Sequence, residues 1–240
     1  FTGTETEAKL FEHVRNSSLD AAMDVGPFEQ VALKTMISKG VPAVILDYSM
    51  RSSGTDCITI DNFSGGYKAM EHLVSLGHRN IAVVTGDMNQ PASKERMNGA
   101  MKAAGEKGIP EDAVRVVEGN FTLQSGYDAA AGMLESGKLP SAVFFMNDEM
   151  ASGGIRAFHE LSKLSIPDDI SIIGFDNSAC SLMTNPQLTT VSAPVMQMGK
   201  FAVQRLFAKL KNGGDYSPCS TQMDTYLIIR KSTSKFGGDR

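Results

Sequence analysis

Residues 141–176, SAVFFMNDEMASGGIRAFHELSKLSIPDDISIIGFD, constrain the fold of this chain more than any other stretch. An apolar run, Ala142 to Phe145, stops at Asn147-Asp148. Met150, Ile155, Phe158 and Leu161 then recur at helical spacing, and Ile166-Pro167 ends that helix. A second apolar run, Ile170 to Phe175, stops at Asp176-Asn177. The pattern is strand, helix, strand, and each strand ends in polar residues. In an open parallel sheet, ligands bind just outside the carboxyl ends of the strands. That rule places Asn147 and Asp176 at the mouth of one cleft.

The same alternation runs through nearly the whole chain. Thr4 can cap an amino-terminal helix with Leu10, Phe11 and Val14 on one stripe. Strands are expected over Leu19 to Val25, Val41 to Leu46, Cys57 to Ile60, Ile81 to Val84 and Val114 to Val117. Helices are expected around Val31 to Ile37, from Ser64 to Leu76, around Met97 to Ala104 and around Tyr127 to Leu134. After Asp176 the pattern loosens. Ser178 to Gln187 reads as irregular, Leu188 to Val191 as a short extended piece, and Met198 to Leu210 as an amphipathic helix. Tyr226 to Ile229 reads as a last strand, and the polar tail after Ser232 as frayed. Strands and helices in alternation call for an α/β fold with parallel sheets.

Bulk properties narrow the function. The 240 residues suit two linked lobes better than one minimal core. A net charge of −4 gives no basic excess for nucleic-acid binding by this segment. Three well-separated cysteines, Cys57, Cys180 and Cys219, argue against a disulfide framework and for a reducing cytoplasm. No apolar run approaches the roughly 20 residues that span a bilayer. The four histidines do not pair with Cys, Asp or Glu at metal-ligand spacing, and no nucleophile or phosphate-loop motif occurs. No metal, cofactor or catalytic residue is therefore expected, and an enzyme is the least favoured class.

Several segments, in order, resemble the effector-binding region of the LacI/GalR bacterial transcriptional regulators. They are GHRNIAVVTG (77–86), ERMNGAMKAAGEKGI (95–109), FFMNDEMASGGIRAF (144–158), IPDDISIIGFDN (166–177), NPQLTTVSAP (185–194) and YLIIRKST (226–233). The resemblance implies two Rossmann-like lobes with parallel sheets joined by three crossings, similar to type I periplasmic binding proteins. Residues 1–60 and 194–222 would form the amino-terminal lobe, lacking a first strand-helix-strand unit. Residues 62–191 and 223–232 would form the other lobe, with 233–240 as a tail. It implies an effector-sensing, dimerising domain in the cytoplasm. A small polar ligand, a sugar or nucleoside, would bind between the lobes and control operator binding by a headpiece absent from this chain. Helix 151–162 and loop 179–186 are candidates for the homodimer surface. The alternative is a periplasmic sugar-binding protein serving a transporter.

Seven residues are candidate ligand contacts. Asp47, at a strand end, can accept from sugar hydroxyls or simply shape a turn. Asp61 is either a ligand carboxylate or the cap of the helix near Ser64. Arg96, in R-x-x-G (Arg96 to Gly99), would be a solvated arginine by chemistry alone; the resemblance makes it a fork for two hydroxyls or a phosphate. Gln90 and Ser93 could add polar contacts beside it. Phe121 suits stacking on a ring or burial in the core. Asn147 and Asp176 match the family's ND and GFD motifs, and Asp148 is read as the helix cap. Ala193 stands where the family often carries a ligand-contacting glutamine.

Overall fold

The computed structural model describes Glu12 and residues 19–26, 30–48, 54–212 and 216–238. The expected amino-terminal helix around Leu10, Phe11 and Val14 lies outside the described residues. The chain forms two compact units, Phe1–Ile60 with Pro194–Met223 and Asp61–Ala193 with Asp224–Arg240, and passes between them three times.

The smaller unit holds a parallel sheet. Its strands are β1 (Ala22–Val25), β2 (Ala43–Leu46), β3 (Asp56–Ile60) and β9 (Ser220–Met223), in that order across the sheet. Helix α1 (Gln30–Ser38) connects β1 to β2, and α7 (Val195–Asn212) precedes β9. All four residues of β2, Ala-Val-Ile-Leu, are buried, as an inner parallel strand demands. Leu33, Ala43, Ile45, Tyr48 and Cys57 pack into its core. Asp56 anchors the sheet from β3. Its fully buried carboxylate accepts from Arg205 Nε at 2.9 Å and Nη2 at 2.7 Å, Tyr216 Oη at 2.6 Å and Cys219 N at 2.9 Å. Burial alone would raise its pKa, but these donors together hold it below the ordinary carboxylate value.

The larger unit holds six strands: β4 (Ile81–Val84), β5 (Val114–Val117), β6 (Ala142–Phe145), β7 (Ser171–Asp176), β8 (Thr189–Ser192) and β10 (Tyr226–Ile228). Their order is β10-β8-β7-β6-β4-β5; β10 runs antiparallel and the others parallel. The central strands β4 and β6 are wholly buried, while the edge strand β5 exposes Arg115 and Val116. Helices α2 (Asn62–Ser75), α3 (Pro91–Glu106), α4 (Leu123–Glu135) and α5 (Asp148–Leu161) flank the sheet, and α6 (Cys180–Met183) is a single turn.

Two helix pairs meet backbone to backbone through reciprocal glycines. A Cβ on Gly66 of α2 would strike the Arg96 carbonyl of α3, and one on Gly99 of α3 would strike the Phe63 carbonyl of α2. The same exchange recurs between α4 and α5, where Gly126 faces the Met150 carbonyl and Gly153 the Leu123 carbonyl. Each glycine follows by three residues the carbonyl that its partner glycine faces. The R-x-x-G motif thus has a packing cause: Gly99 lets α3 lie close to α2 and so sets the height of Arg96.

The structure differs from the sequence reading at several points. Strand β9 was not expected, because Ser-Thr-Gln-Met carries no apolar run. Helix α2 begins at Asn62 rather than Ser64, and α6 interrupts the segment read as irregular. Leu161 ends α5 52% exposed, off its buried face. The tail is packed rather than frayed. Ser232 is fully buried, Phe236 N donates to Leu76 O at 2.8 Å, and the Phe236 ring lies 5.6 Å from that of His78.

Candidate functional site

The carboxyl ends of β6 and β7 and the first turns of α2 and α3 bring polar groups together in the larger unit. Arg96 is at the centre and is 5% exposed. Its Nε donates to Asn62 Oδ1 at 2.8 Å, and its Nη1 donates to the Met146 carbonyl just past β6. Its Nη2 lies 3.6 Å from Asp176 Oδ1, and its guanidinium stacks 3.6 Å above the Phe175 ring. A planar cation on an aromatic face, fixed at three edges, is held in one orientation. Asp176 retains 35% side-chain exposure, so the ion pair has a solvent-facing side.

Asn147 and Phe121 complete the cluster. Asn147 Oδ1 accepts from Met150 N at 2.9 Å and caps α5, while Nδ2 donates to the Phe121 carbonyl at 2.8 Å. The cap is therefore Asn147, not Asp148 as the sequence suggested. Asp148 sits one residue further in and turns its carboxylate toward Thr190 of β8 and Ser178 beyond β7. The Phe121 ring lies over Gly86, where no Cβ could fit, and 5.9 Å from the Arg96 guanidinium.

The remaining candidates are less central. Asp61 caps α2, its Oδ1 accepting from Ser64 N at 2.8 Å, so the capping role is realised. Gln90 precedes α3 and enters through its backbone, with N donating to Asp87 O at 3.0 Å. Asp47 belongs to the smaller unit, exposed at the end of β2, with its N donating to Ile58 O at 2.9 Å. Nearby, Tyr48 Oη donates to Asp24, whose carboxyl burial pushes upward against that bond. Ala193 meets β7 through its backbone, N donating to Asp176 O at 3.4 Å.

Backbone strain marks the same residues. Among the described residues, the non-glycine positions with positive φ are Asp47 (67°), Phe121 (66°), Asp176 (103°) and Asn177 (56°). Three of these four are candidate contacts. A bulky residue in this region costs about 1–3 kcal/mol and persists where the surroundings force it, as at ligand sites.

Sequence reasoning missed Asn62, Glu95, Asn177 and Arg230. Asn62 and Glu95 come into play only through the close α2–α3 approach. Burial and then the Asp61 charge raise the Glu95 pKa, while a bond from Asn62 opposes them. Arg230 had a signal, since it lies within YLIIRKST; it donates to Asn177 Oδ1 at 2.6 Å. A hollow of about 890 Å³ lies elsewhere in the unit, lined by Lys68, His72, Arg79, Lys107 and Tyr226 among others. Convergent polar groups rather than volume distinguish the Arg96 cluster. No group of three or more His, Cys, Asp or Glu among the described residues could hold a metal ion.

The profile of the periplasmic binding protein-like domain family matches residues 70–233. The HTH-type transcriptional regulator DegA of Bacillus subtilis is 32% identical over 232 residues, covering 95% of this chain and 68% of DegA. The chain belongs to the LacI family of transcriptional regulators. The HTH-type transcriptional repressor PurR of Actinobacillus pleuropneumoniae serotype 3 is 34% identical over 202 residues, covering 84% of this chain and 60% of that protein. A LacI family regulator from Enterococcus faecium, solved with bound ribose, superimposes with a TM-score of 0.86 at 29% identity, covering 95% of this chain and 84% of that one. The LacI-family chain described above thus spans about three-fifths to two-thirds of the length of these two curated relatives. It corresponds to the effector-binding domain of the family, and its relatives are regulators rather than transporter proteins. Among the described residues, no helix is long and apolar enough to cross a membrane.

Proposed function

We propose that the carboxyl edge of the larger unit, at Arg96, Phe121, Asn147 and Asp176, binds a polar hydroxyl-bearing small molecule, a sugar or nucleoside. The observation that carries this reading is the Arg96–Asp176 pair. It joins a buried, oriented guanidinium to a partly exposed carboxylate on a left-handed backbone. The guanidinium offers donors and the carboxylate acceptors, which suits neighbouring hydroxyls. Phe121 supplies an apolar face for a ring. The ribose bound by the Enterococcus regulator is the same chemical class.

In the whole protein, occupancy biases two states that differ in affinity for operator DNA, since only a difference in affinity between states can move such an equilibrium. The protein works as a homodimer, because two headpieces reach two half-sites. Gln90 contributes a further polar contact, and Asp61 acts mainly through its helix cap.

A thermal-shift panel of pentoses, hexoses, disaccharides and nucleosides tests the reading. At a hundred times Kd, a binder stabilises the native state by about 2.7 kcal/mol, a rise of roughly 5–10 °C for a protein of this size. The Asp176→Ala and Arg96→Lys variants should lose the rise, each read against its own unliganded midpoint. The same rise in both variants would place the ligand elsewhere, and turnover of a binder would reopen the enzyme class. Size-exclusion of the full-length protein separates the dimeric regulator from a monomeric carrier.

A further inference from the structure

Asp148 is fully buried in the larger unit, and the ligand cluster does not use it directly. Its Oδ1 accepts from Thr190 Oγ1 at 2.6 Å, and its Oδ2 from Ser178 N at 2.7 Å and Ser178 Oγ at 3.2 Å. Thr190 Oγ1 in turn accepts from Asn177 N at 3.3 Å. These bonds attach the start of α5 and strand β8 to both residues that follow Asp176. Asp176 and Asn177 are consecutive and both left-handed. A slot exists for the carboxylate because β7 carries Gly174 there: a Cβ would fall 2.3 Å from Asp148 Oδ1.

An ionised carboxylate only accepts, so all three donors are satisfied at once. A protonated one must donate from one oxygen. A hydroxyl has two lone pairs, so Thr190 can accept from a protonated Asp148 as well as from Asn177 N–H, and the network can stay closed in either charge state. Burial raises the Asp148 carboxyl to about 6, against the bonds from Thr190 and Ser178 and the charge of Arg230. The other charged or titratable groups on the surrounding elements are Glu149, Arg156, His159 and Glu160 on α5, Asp176 on β7 and the Cys180 thiol of α6, 3.0 Å from Ser178 Oγ. Strand β8, Thr-Thr-Val-Ser, brings none.

We propose that Asp148 is a positioning residue of the Arg96–Asp176 site: its buried carboxyl holds the left-handed turn at Asp176–Asn177 through Thr190 and Ser178, and opening that turn hydrates the carboxyl. The purpose of the turn rests on the effector reading above; the holding of it does not. Because the closed turn keeps the carboxyl buried and raises its pKa, proton uptake favours the closed turn.

Hydrogen exchange on the unliganded chain tests this by following peptides across 174–182, corrected for intrinsic rates. Measurements at about pH 5 and about pH 7.5 bracket the carboxyl midpoint. One unit below that midpoint the closed turn holds the proton and the hydrated open one does not, so wild-type protection should rise up to about tenfold in acid. Asp148→Asn should be equally poorly protected at both pH values. Thr190→Val should lose the pH profile and Thr190→Ser restore it, which a purely structural role for Asp148 would not require. Equal wild-type protection at both pH values, or wild-type protection in Asp148→Asn at the higher one, would overturn the proposal. Because no ligand is present, such a failure leaves the effector reading standing, and an empty thermal-shift panel leaves the exchange result standing.

Discussion

Replacing Gly99 with alanine challenges the contact that sets the height of Arg96. An ideal Cβ there lies 1.9 Å from Phe63 O, 2.8 Å from Tyr67 N and 2.9 Å from Phe63 C. All three are backbone atoms of α2, so no rotamer change relieves the clash. Real Cβ contacts stay beyond 3.0 Å, so the helices must part by at least 1.1 Å at that point (3.0 − 1.9). Overpacking of this kind costs about 1–3 kcal/mol, and a rigid neighbour puts it near the top of that range. Alanine returns about 1 kcal/mol of helix propensity. The expected net loss is about 2 kcal/mol. Gly105 provides the control: it lies in the same helix, and a Cβ there meets nothing within 4 Å. Gly105→Ala should therefore gain up to about 1 kcal/mol. Urea unfolding followed by circular dichroism reads the difference between the two variants. If Gly99→Ala proved as stable as Gly105→Ala, the backbone contact would not be the close one described.

Two further substitutions probe buried carboxylates with opposite pH signatures. Asp56→Ala strands Arg205 and Tyr216 and should cost about 3–5 kcal/mol near neutral pH. The Asp56 pKa is depressed, so its contribution is present above the ordinary carboxylate value and is lost as pH falls through the folded one. The variant should accordingly lose less than wild type in acid titrations of stability. Asp148 has the reverse sign. Its pKa rises from 3.8 to about 6, so the folded state binds more protons across that window and wild-type stability falls as pH climbs through it. The span is about 2.2 units, worth roughly 3 kcal/mol at about 1.36 kcal/mol per unit. Asp148→Asn should flatten that slope, and an unchanged slope in chemical unfolding would refute the assignment.

The strands of the larger unit were legible because inner parallel strands must be apolar on both faces, as Ile81–Val84 and Ala142–Phe145 are. Strand β9 was not, because its pairing depends on the distant carboxylate of Asp56, which fixes Tyr216 and Cys219 before the strand begins. The tail misled for a similar reason: a single aromatic, Phe236, docks a polar segment that composition alone describes as loose. At the site, strand ends pointed to Asn147 and Asp176, and the resemblance added Arg96. The neighbouring side chains at 147 and 148 could not be sorted from sequence. Asn147 and Asp148 are adjacent, either can cap a helix, and only the approach of Thr190 and Ser178 separates their roles. Asn62 was invisible because its partner lies 34 residues away across a helix crossing.

The reciprocal glycines give the larger unit a mechanical character. Helices that touch main chain to main chain have no side-chain slack between them, so α2 with α3 and α4 with α5 behave as two stiff blocks. A molecule tugging on Arg96 therefore tugs on Asn62 as well, and one tugging on Asn147 engages the other block. On the proposed reading of the site, chemical taste can drift through swaps at Gln90 or Phe121 while the chassis carrying the grip stays the same.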